Sequence, residues 1–311
     1  MMAATLDLTA DATLAWDAAA AGWDRHSGLI RSWLLAPTSA MLDGAGVRVG
    51  SRVLDVAAGA GDQSLDIAAR VGLGGRLLIT DLSAGILALA EHKLRAAGFT
   101  RVEVLRADAQ QLQLQPQLRG AGFDAAVCRL GLMFCTSPLL ALQGIHLALV
   151  PGGRFSGLVF AGPERNPCIA TLGATATRHA GLEPASPFKP GTLMSLGQPG
   201  LMHSLLAAAG FTDIDVHALD APMRLPSVKH YLDFVQTAGL RPPHPWACAP
   251  HRRATAWAAA RWLLRCIWRT SGRTACPRVR LWARSRCRCR CTSRGASRPL
   301  RWSTSRSSAD T

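Results

Sequence analysis

No run of this 311-residue chain reaches the roughly 18 uncharged apolar residues that a membrane-crossing helix needs. The best stretch, Ala254 to Trp268, is interrupted by Arg261 and Arg265. The opening residues, Met1-Met-Ala-Ala-Thr-Leu-Asp-Leu8, carry no basic segment ahead of an apolar one, so no secretory signal is read there. Cysteine is scarce in residues 1–240, where only Cys128, Cys135 and Cys168 occur. That scarcity speaks against a disulfide framework and for a reducing, cytoplasmic setting. No Cys-x2-Cys pair has a partner at ligand spacing, so no metal site is expected. Residues 241–311 contain no Phe, Tyr, Lys, Glu, Gln or Asn at all.

What is present divides the chain in two. The formal net charge of +15 invites a nucleic-acid reading. Residues 1–240, however, hold 18 Lys+Arg against 19 Asp+Glu, whereas residues 241–311 hold 17 Arg against one Asp. The basicity therefore belongs to the tail alone. The tail also holds six of the nine cysteines and six of the nine tryptophans, and Arg284 to Cys291 is low complexity. Arg, Cys and Trp in the absence of Lys, Phe and Asn is the composition of GC-rich DNA read out of frame, and a frameshift near residue 240 is the hypothesis this suggests. The tail is expected to be disordered or frameshift-derived, with no strand or helix period beyond about Trp268.

From Val47 to Phe160 short apolar runs alternate with amphipathic ones. Strands are expected at Arg52–Val56, Arg76–Thr80, Val102–Arg106, Phe123–Cys128 and Arg154–Phe160. Helices are expected at Asp62–Val71, Ala84–Ala97 and Pro138–Leu149. Such alternation predicts a doubly wound α/β fold with a mostly parallel sheet. Ahead of it, residues 1–45 read as a helical cap in two pieces, Leu14–Ala21 and Gly28–Leu42, with a break at Gly22-Trp-Asp24. After it come a Pro/Gly-rich insertion at 161–200 and a helix at Leu201–Ala209. An antiparallel pair follows, Phe211–Leu219 with Pro222–Leu225, and then a last helix at Val228–Thr237.

Four features fall at the carboxyl ends of successive strands, where open α/β sheets bind ligands. Asp55 closes the first strand and leads into Ala57, Gly59 and Gly61, a turn that brings bare backbone beside a ligand. A carboxylate there is wrong for a pyrophosphate, which wants N–H donors, and right for a cationic ligand. Asp81, followed by Leu82, closes the second strand 22 residues past Gly59, near the spacing of about 20 at which an acidic residue takes a ribose. Asp108 and Ala109 follow the third strand, where a carboxylate can accept from an exocyclic amine and the next N–H can donate to the ring. Cys128-Arg-Leu-Gly-Leu-Met-Phe134 follows the fourth and lines the cleft floor. Each alone is as readily a turn or capping residue. In order on consecutive strands they describe one adenosine-shaped, positively charged ligand.

Taken together, these motifs resemble the class I S-adenosylmethionine-dependent methyltransferases of the ubiE/COQ5 type. The carrying segments are Val53-Leu-Asp-Val-Ala-Ala-Gly-Ala-Gly-Asp62, Thr80-Asp-Leu-Ser83, Ala107-Asp-Ala109, Phe123 to Phe134 and Leu149-Val-Pro-Gly-Gly-Arg154. The likeness extends from about Trp16 to Thr237. It departs at Ala57, where the family has its first loop glycine, and in the tail, which matches nothing in the family. The resemblance implies a Rossmann-like, seven-stranded sheet over residues 46–240 and S-adenosylmethionine as cofactor. It implies that Asp55 and the 57–61 loop hold the methionine end, Asp81 the ribose, Asp108 and Ala109 the adenine, and that Arg129 and Leu130 lie under the methionyl part.

The reaction so implied moves a methyl group to carbon or oxygen of a small acceptor, quinone-like or a secondary metabolite. Alignment in a dry cleft does most of the work, and a base is needed only if the acceptor must lose a proton. No catalytic residue is fixed by the sequence. Arg129 and His26 are the candidates, Arg129 with a structural ion pair as its alternative role, and His26 with an ordinary surface or core role as its own. Two other classes remain. An NAD(P)-dependent oxidoreductase shares the strand, turn and acidic residue, but its Gly-x-Gly-x-x-Gly fails at Ser64. A nucleic-acid binder would work through the Arg-rich tail.

Overall fold

The computed structural model describes residues 8–118, 120–179, 181–238 and 282–287. Two helices, α1 (Leu8–Arg25) and α2 (Ser27–Gly44), precede the first strand. The chain then runs β1 (Arg52–Val56), α3 (Asp62–Val71), β2 (Arg76–Asp81), α4 (Ala84–Ala96), β3 (Val102–Arg106), β4 (Phe123–Arg129), α5 (Pro138–Ala148) and β5 (Leu149–Leu158). It continues with α6 (Pro167–His179), α7 (Leu201–Ala208), β6 (Phe211–His217), α8 (Val228–Ala238) and β7 (Trp282–Cys287). The seven strands form one sheet in the order β3-β2-β1-β4-β5-β7-β6. β1 to β5 pair in parallel, and β7 pairs antiparallel with both β5 and β6.

The local rules that form these elements are visible in their ends and faces. β1 and β4 are buried along almost their whole length, as strands covered by helices on both sides must be. α4 is capped by Ser83, whose hydroxyl accepts from the Ile86 N–H at 3.0 Å, and it buries Ile86, Leu87, Ala90 and Leu94, one face at helical spacing. α5 starts on Pro138, where a missing N–H costs nothing. Phe123, Phe155, Leu54 and Ile79 sit fully buried at the centre of one continuous core. Each such side chain contributes roughly 1.5–3 kcal/mol.

Several expectations need correction. α1 runs unbroken through Gly22 and Trp23, so the break lies instead at His26. Gly22 belongs there because a Cβ would fall 1.8 Å from the Thr237 carbonyl oxygen of α8, and no other residue permits that approach. The 161–200 segment contains α6, whose Pro167 opens a helix rather than marking a loop. The final antiparallel pair is not made by residues 222–225, which contribute a single bridge at Pro222. The seventh strand is β7, drawn from the tail, in which no strand was expected. Ladder bonds run from backbone to backbone, so a low-complexity sequence can fill the slot between β5 and β6. The other tail residues lie outside the described ones. Cys168 is disulfide-bonded, against the expectation of unpaired cysteines, whereas Cys128 and Cys135 are free and buried. Among the described residues no helix is long and apolar enough to cross a membrane, and no cluster of metal-ligating side chains occurs.

Candidate functional site

The direction of strand addition reverses between β1 and β4, which opens a crevice at their carboxyl ends. Two residues there take backbone angles that side chains avoid: Ala57 with φ of 55° and Leu130 with φ of 58°. Left-handed backbone at non-glycine residues costs about 1–3 kcal/mol and concentrates at functional sites. The two turns touch, since a Cβ on Gly131 would lie 2.5 Å from the Ala57 Cβ. Gly61 has φ of 84° and no space for a side chain, because a Cβ would meet Ala90 of α4 at 2.8 Å. Gly59 has φ of 57°, yet a Cβ there would meet nothing within 4 Å. Its bare backbone faces open space at the crevice, as a ligand-facing loop requires.

Asp55 lies beneath this loop rather than in contact with the crevice. It is fully buried, and its carboxylate accepts from the Ser64 hydroxyl at 2.6 Å and from Gln63 Nε2 at 3.2 Å. Burial pushes its carboxyl up to about 6, against the pull of those two hydrogen bonds and of the Arg129 charge. Its role is to fix the start of α3, and through Gln63 the loop carbonyl of Ala57 at 3.5 Å.

Asp81 is the carboxylate held between the glycine loop and the start of α4. One oxygen accepts from the Gly59 N–H at 3.0 Å and the other from the Ser83 N–H at 3.1 Å. Burial raises this carboxyl too, opposed by the N–H groups of Ser83, Gly59 and Leu82. Each oxygen keeps a second lone-pair direction, which suits a pair of vicinal hydroxyls. Asp108 caps the 3-10 turn Ala109–Leu114 by accepting from the Gln110 N–H at 2.9 Å. Both it and Ala109 are half-buried.

Arg129 ends β4 with its guanidinium buried. Nη1 donates to the Thr38 hydroxyl of α2 at 3.0 Å, and no carboxylate among the described residues lies within ion-pair distance. Burial pulls its pKa down, while the more distant Asp62, Asp55 and Asp66 oppose that pull. Among the described residues it makes no direct ion pair with the cap, and its hydrogen bond to the cap goes to a neutral hydroxyl. His26 stands at the junction of α1 and α2, against α8. The Thr237 hydroxyl donates to the Asp233 carbonyl at 2.7 Å and accepts from His26 Nε2 at 2.8 Å, while the imidazole stands edge-on to Phe234. His26 joins the helix junction to α8, and burial lowers its pKa.

Residues outside that candidate set complete the surround. Asp17 of α1 accepts from the Ser83 hydroxyl and from the Gly85 N–H at 3.3 Å. Ser27 donates to buried Asp62 at 2.5 Å, and Lys93 bridges Asp24 at 3.0 Å and Asp62 at 3.3 Å. Trp16 packs edge-on to Phe134 with centroids 5.1 Å apart. Trp23 stands 6.2 Å from Trp16, with its indole N–H buried and without a hydrogen-bond partner among the described residues. Only Ser83 had a local signal, a serine directly before a helical run.

Comparison with known proteins agrees with this geometry. Residues 36–171 match the ubiE/COQ5 methyltransferase family. The ubiquinone/menaquinone biosynthesis C-methyltransferase UbiE of Coxiella burnetii is 34% identical over 129 residues, 41% of this chain and 50% of that protein. The UbiE protein of Teredinibacter turnerae is 35% identical over 122 residues, 39% and 47% of the two chains. The chain thus spans about half the length of the curated relatives it matches. Among solved structures, YcgJ of Bacillus subtilis aligns with a TM-score of 0.54 at 16% identity, covering 81% of this chain and 97% of that one. A putative methyltransferase of Bacillus halodurans aligns at 0.53 and 15% identity, covering 82% and 100%. The [4+2]-cyclase SpnF aligns at 0.51 and 18%, covering 88% and 97%, so the fold by itself does not dictate the reaction. The chain shares the Rossmann-like fold of these solved structures, and its residues 36–171 are similar to the ubiE/COQ5 methyltransferase family.

Proposed function

We propose that the chain is an S-adenosylmethionine-dependent methyltransferase acting on a small molecule. The observation that carries this is the pairing of an open-faced Gly59 with Asp81 at the switch point, a backbone surface and an acceptor pair of the kind a nucleoside ribose requires. The residues fit the cofactor. Asp81 and Leu82 would take the ribose, Asp108 and Ala109 the adenine, and the 57–61 loop with Arg129 and Leu130 the methionyl end. Asp55 would act by holding that loop. When bound, the cofactor supplies a sulfonium-activated methyl group, and the chain's part is to align the acceptor with it and exclude water.

The acceptor is proposed to be quinone-like, with methylation at carbon, because the matched relatives are named as C-methyltransferases of ubiquinone and menaquinone biosynthesis. Residues 46–240 are proposed as the methyltransferase domain, with the 1–45 cap and the 161–200 segment on the acceptor side. The scarcity of cysteine in residues 1–240 favours the cytoplasm, and the disulfide at Cys168 counts against it; we expect no specific nucleic-acid partner. Calorimetric titration with S-adenosylhomocysteine and with NADH tests the cofactor. Micromolar binding of the former alone is expected, and binding of NADH alone overturns the proposal in favour of an oxidoreductase. Incubation with S-adenosylmethionine and a short-chain demethylmenaquinone, read by mass spectrometry, tests the acceptor class.

A further inference from the structure

α1 touches three walls of the crevice at once. On the α4 side, Asp17 accepts from the Ser83 hydroxyl and from the Gly85 N–H. On the glycine-loop side, Ala20 packs in a separate small cluster with Ala60 and Ile86, flanked by Trp16 and Trp23. On the β4 side, Trp16 stands against Phe134. Lys93 of α4 pairs with Asp24 at the far end of α1, and Ser27 at the start of α2 donates to Asp62 of α3.

The contact at Asp17 differs from the others because it leads to the ribose carboxylate. The Ser83 hydroxyl points its hydrogen at Asp17 and accepts from Ile86, so Asp17 fixes the rotor of the residue that caps α4. The N–H of the same Ser83 donates to one oxygen of Asp81, and Gly59 donates to the other. Asp17, Ser83, Asp81 and Gly59 form an unbroken hydrogen-bonded path from α1 to the glycine loop. The Asp17 charge also lies close enough to Asp81 to add to the upward shift that burial produces there. Ser83 is fully buried while Asp17 is solvent-exposed, so the link can open without unfolding the site.

We propose that α1 roofs the nucleoside compartment and that Asp17 is a positioning residue, coupling this roof through Ser83 to the Asp81 carboxylate that takes the ribose hydroxyls. The inference rests on the cofactor reading above. Loss of Asp17 frees the Ser83 hydroxyl and loosens the aim of Asp81, so its effect depends on the hydroxyls that Asp81 receives. An asparagine at 17 retains the accepting oxygen and restores most of the link.

The test is calorimetry on the full chain, wild type and the variants Asp17→Ala and Asp17→Asn, with S-adenosylhomocysteine and its 2′-deoxy analogue. The Ala variant should weaken S-adenosylhomocysteine binding about ten-fold, the scale of one charge-assisted hydrogen bond. It should weaken binding of the 2′-deoxy analogue, which offers Asp81 one hydroxyl instead of two, by only about three-fold, and the Asn variant should stay within about three-fold of wild type for both. Hydrogen exchange across residues 12–23 should slow on ligand binding in wild type and not in the Ala variant. Equal weakening for both nucleosides, or no weakening at all, overturns the positioning role. A wild-type chain that binds neither nucleoside overturns the cofactor reading instead.

Discussion

Gly131 is the residue on which two strained turns lean. A methyl group at 131 would lie 2.5 Å from the Ala57 Cβ and 2.9 Å from the Cys128 sulfur. Gly131→Ala should therefore destabilise the chain by about 1–3 kcal/mol and weaken S-adenosylhomocysteine binding. Ala57→Gly removes the first clash and should restore part of both losses, so the two substitutions are non-additive in a urea-unfolding cycle. Asp55 carries a pH signature of its own. Its carboxyl, at about 6 in the fold against an ordinary 3.8, keeps its proton to higher pH in the native state than in the unfolded chain. The stability it contributes is complete below about 3.8 and is lost as pH rises through about 6, by at most roughly 3 kcal/mol. Asp55→Asn cannot ionise, keeps an oxygen for Ser64, and lets Gln63 turn its amide to match. Urea midpoints should show wild type losing ground to this variant between pH 4 and 6.5 and not above.

At the scale of elements, the docking of α8 on α1 depends on Gly22. Gly22→Ala drives a methyl group into the Thr237 carbonyl and should detach α8, with loss of the His26–Thr237 hydrogen bond. Hydrogen exchange across 228–238 should accelerate by at least ten-fold while the amides of β1 and β4 stay protected. Gly22 also shows where a sequence stops being legible. Read locally, a glycine between apolar runs signals a break, because glycine weakens a helix by about 1 kcal/mol. Its reason for being there is a carbonyl more than 200 positions away. Pro167 misleads in the same way, since a helix start and a loop share that residue. The strands β1 to β4 and the helices α3 to α5 were readable to within a residue or two because their signals are local: apolar runs, a serine cap, a terminal glycine. The aspartates at the strand ends were readable as a set for the same reason. Which of them looks outward was not, because the burial of Asp55 and the exposure of the loop above it are set by the packing of α3. The link from Asp17 to Ser83 spans 66 positions and leaves no mark on either neighbourhood.

For the whole molecule, the tail matters through β7. A chain ending at Ala238 loses the strand between β5 and β6 and leaves two unsatisfied edges. It should melt at least 10 °C lower than the full chain and elute as aggregates. The composition break near residue 240 keeps its own test in the nucleotide sequence. A reading frame that continues an amphipathic helix downstream supports the frameshift, and its absence in both alternative frames ends the idea.

β7 also sets a clock for synthesis. Its first residue, Trp282, lies 124 positions beyond Leu158, the β5 residue it pairs with. At about 5–20 residues per second, translation takes roughly 6–25 s to cover that distance. Through that interval the growing chain holds β1 to β5 with the β5 edge uncovered, and β6 has been made with no neighbour to join. Neighbouring ribosomes on one message would present the same edge to one another. The yield of soluble protein should therefore follow the supply of chaperones that shield nascent chains more closely than it follows the stability of the finished fold.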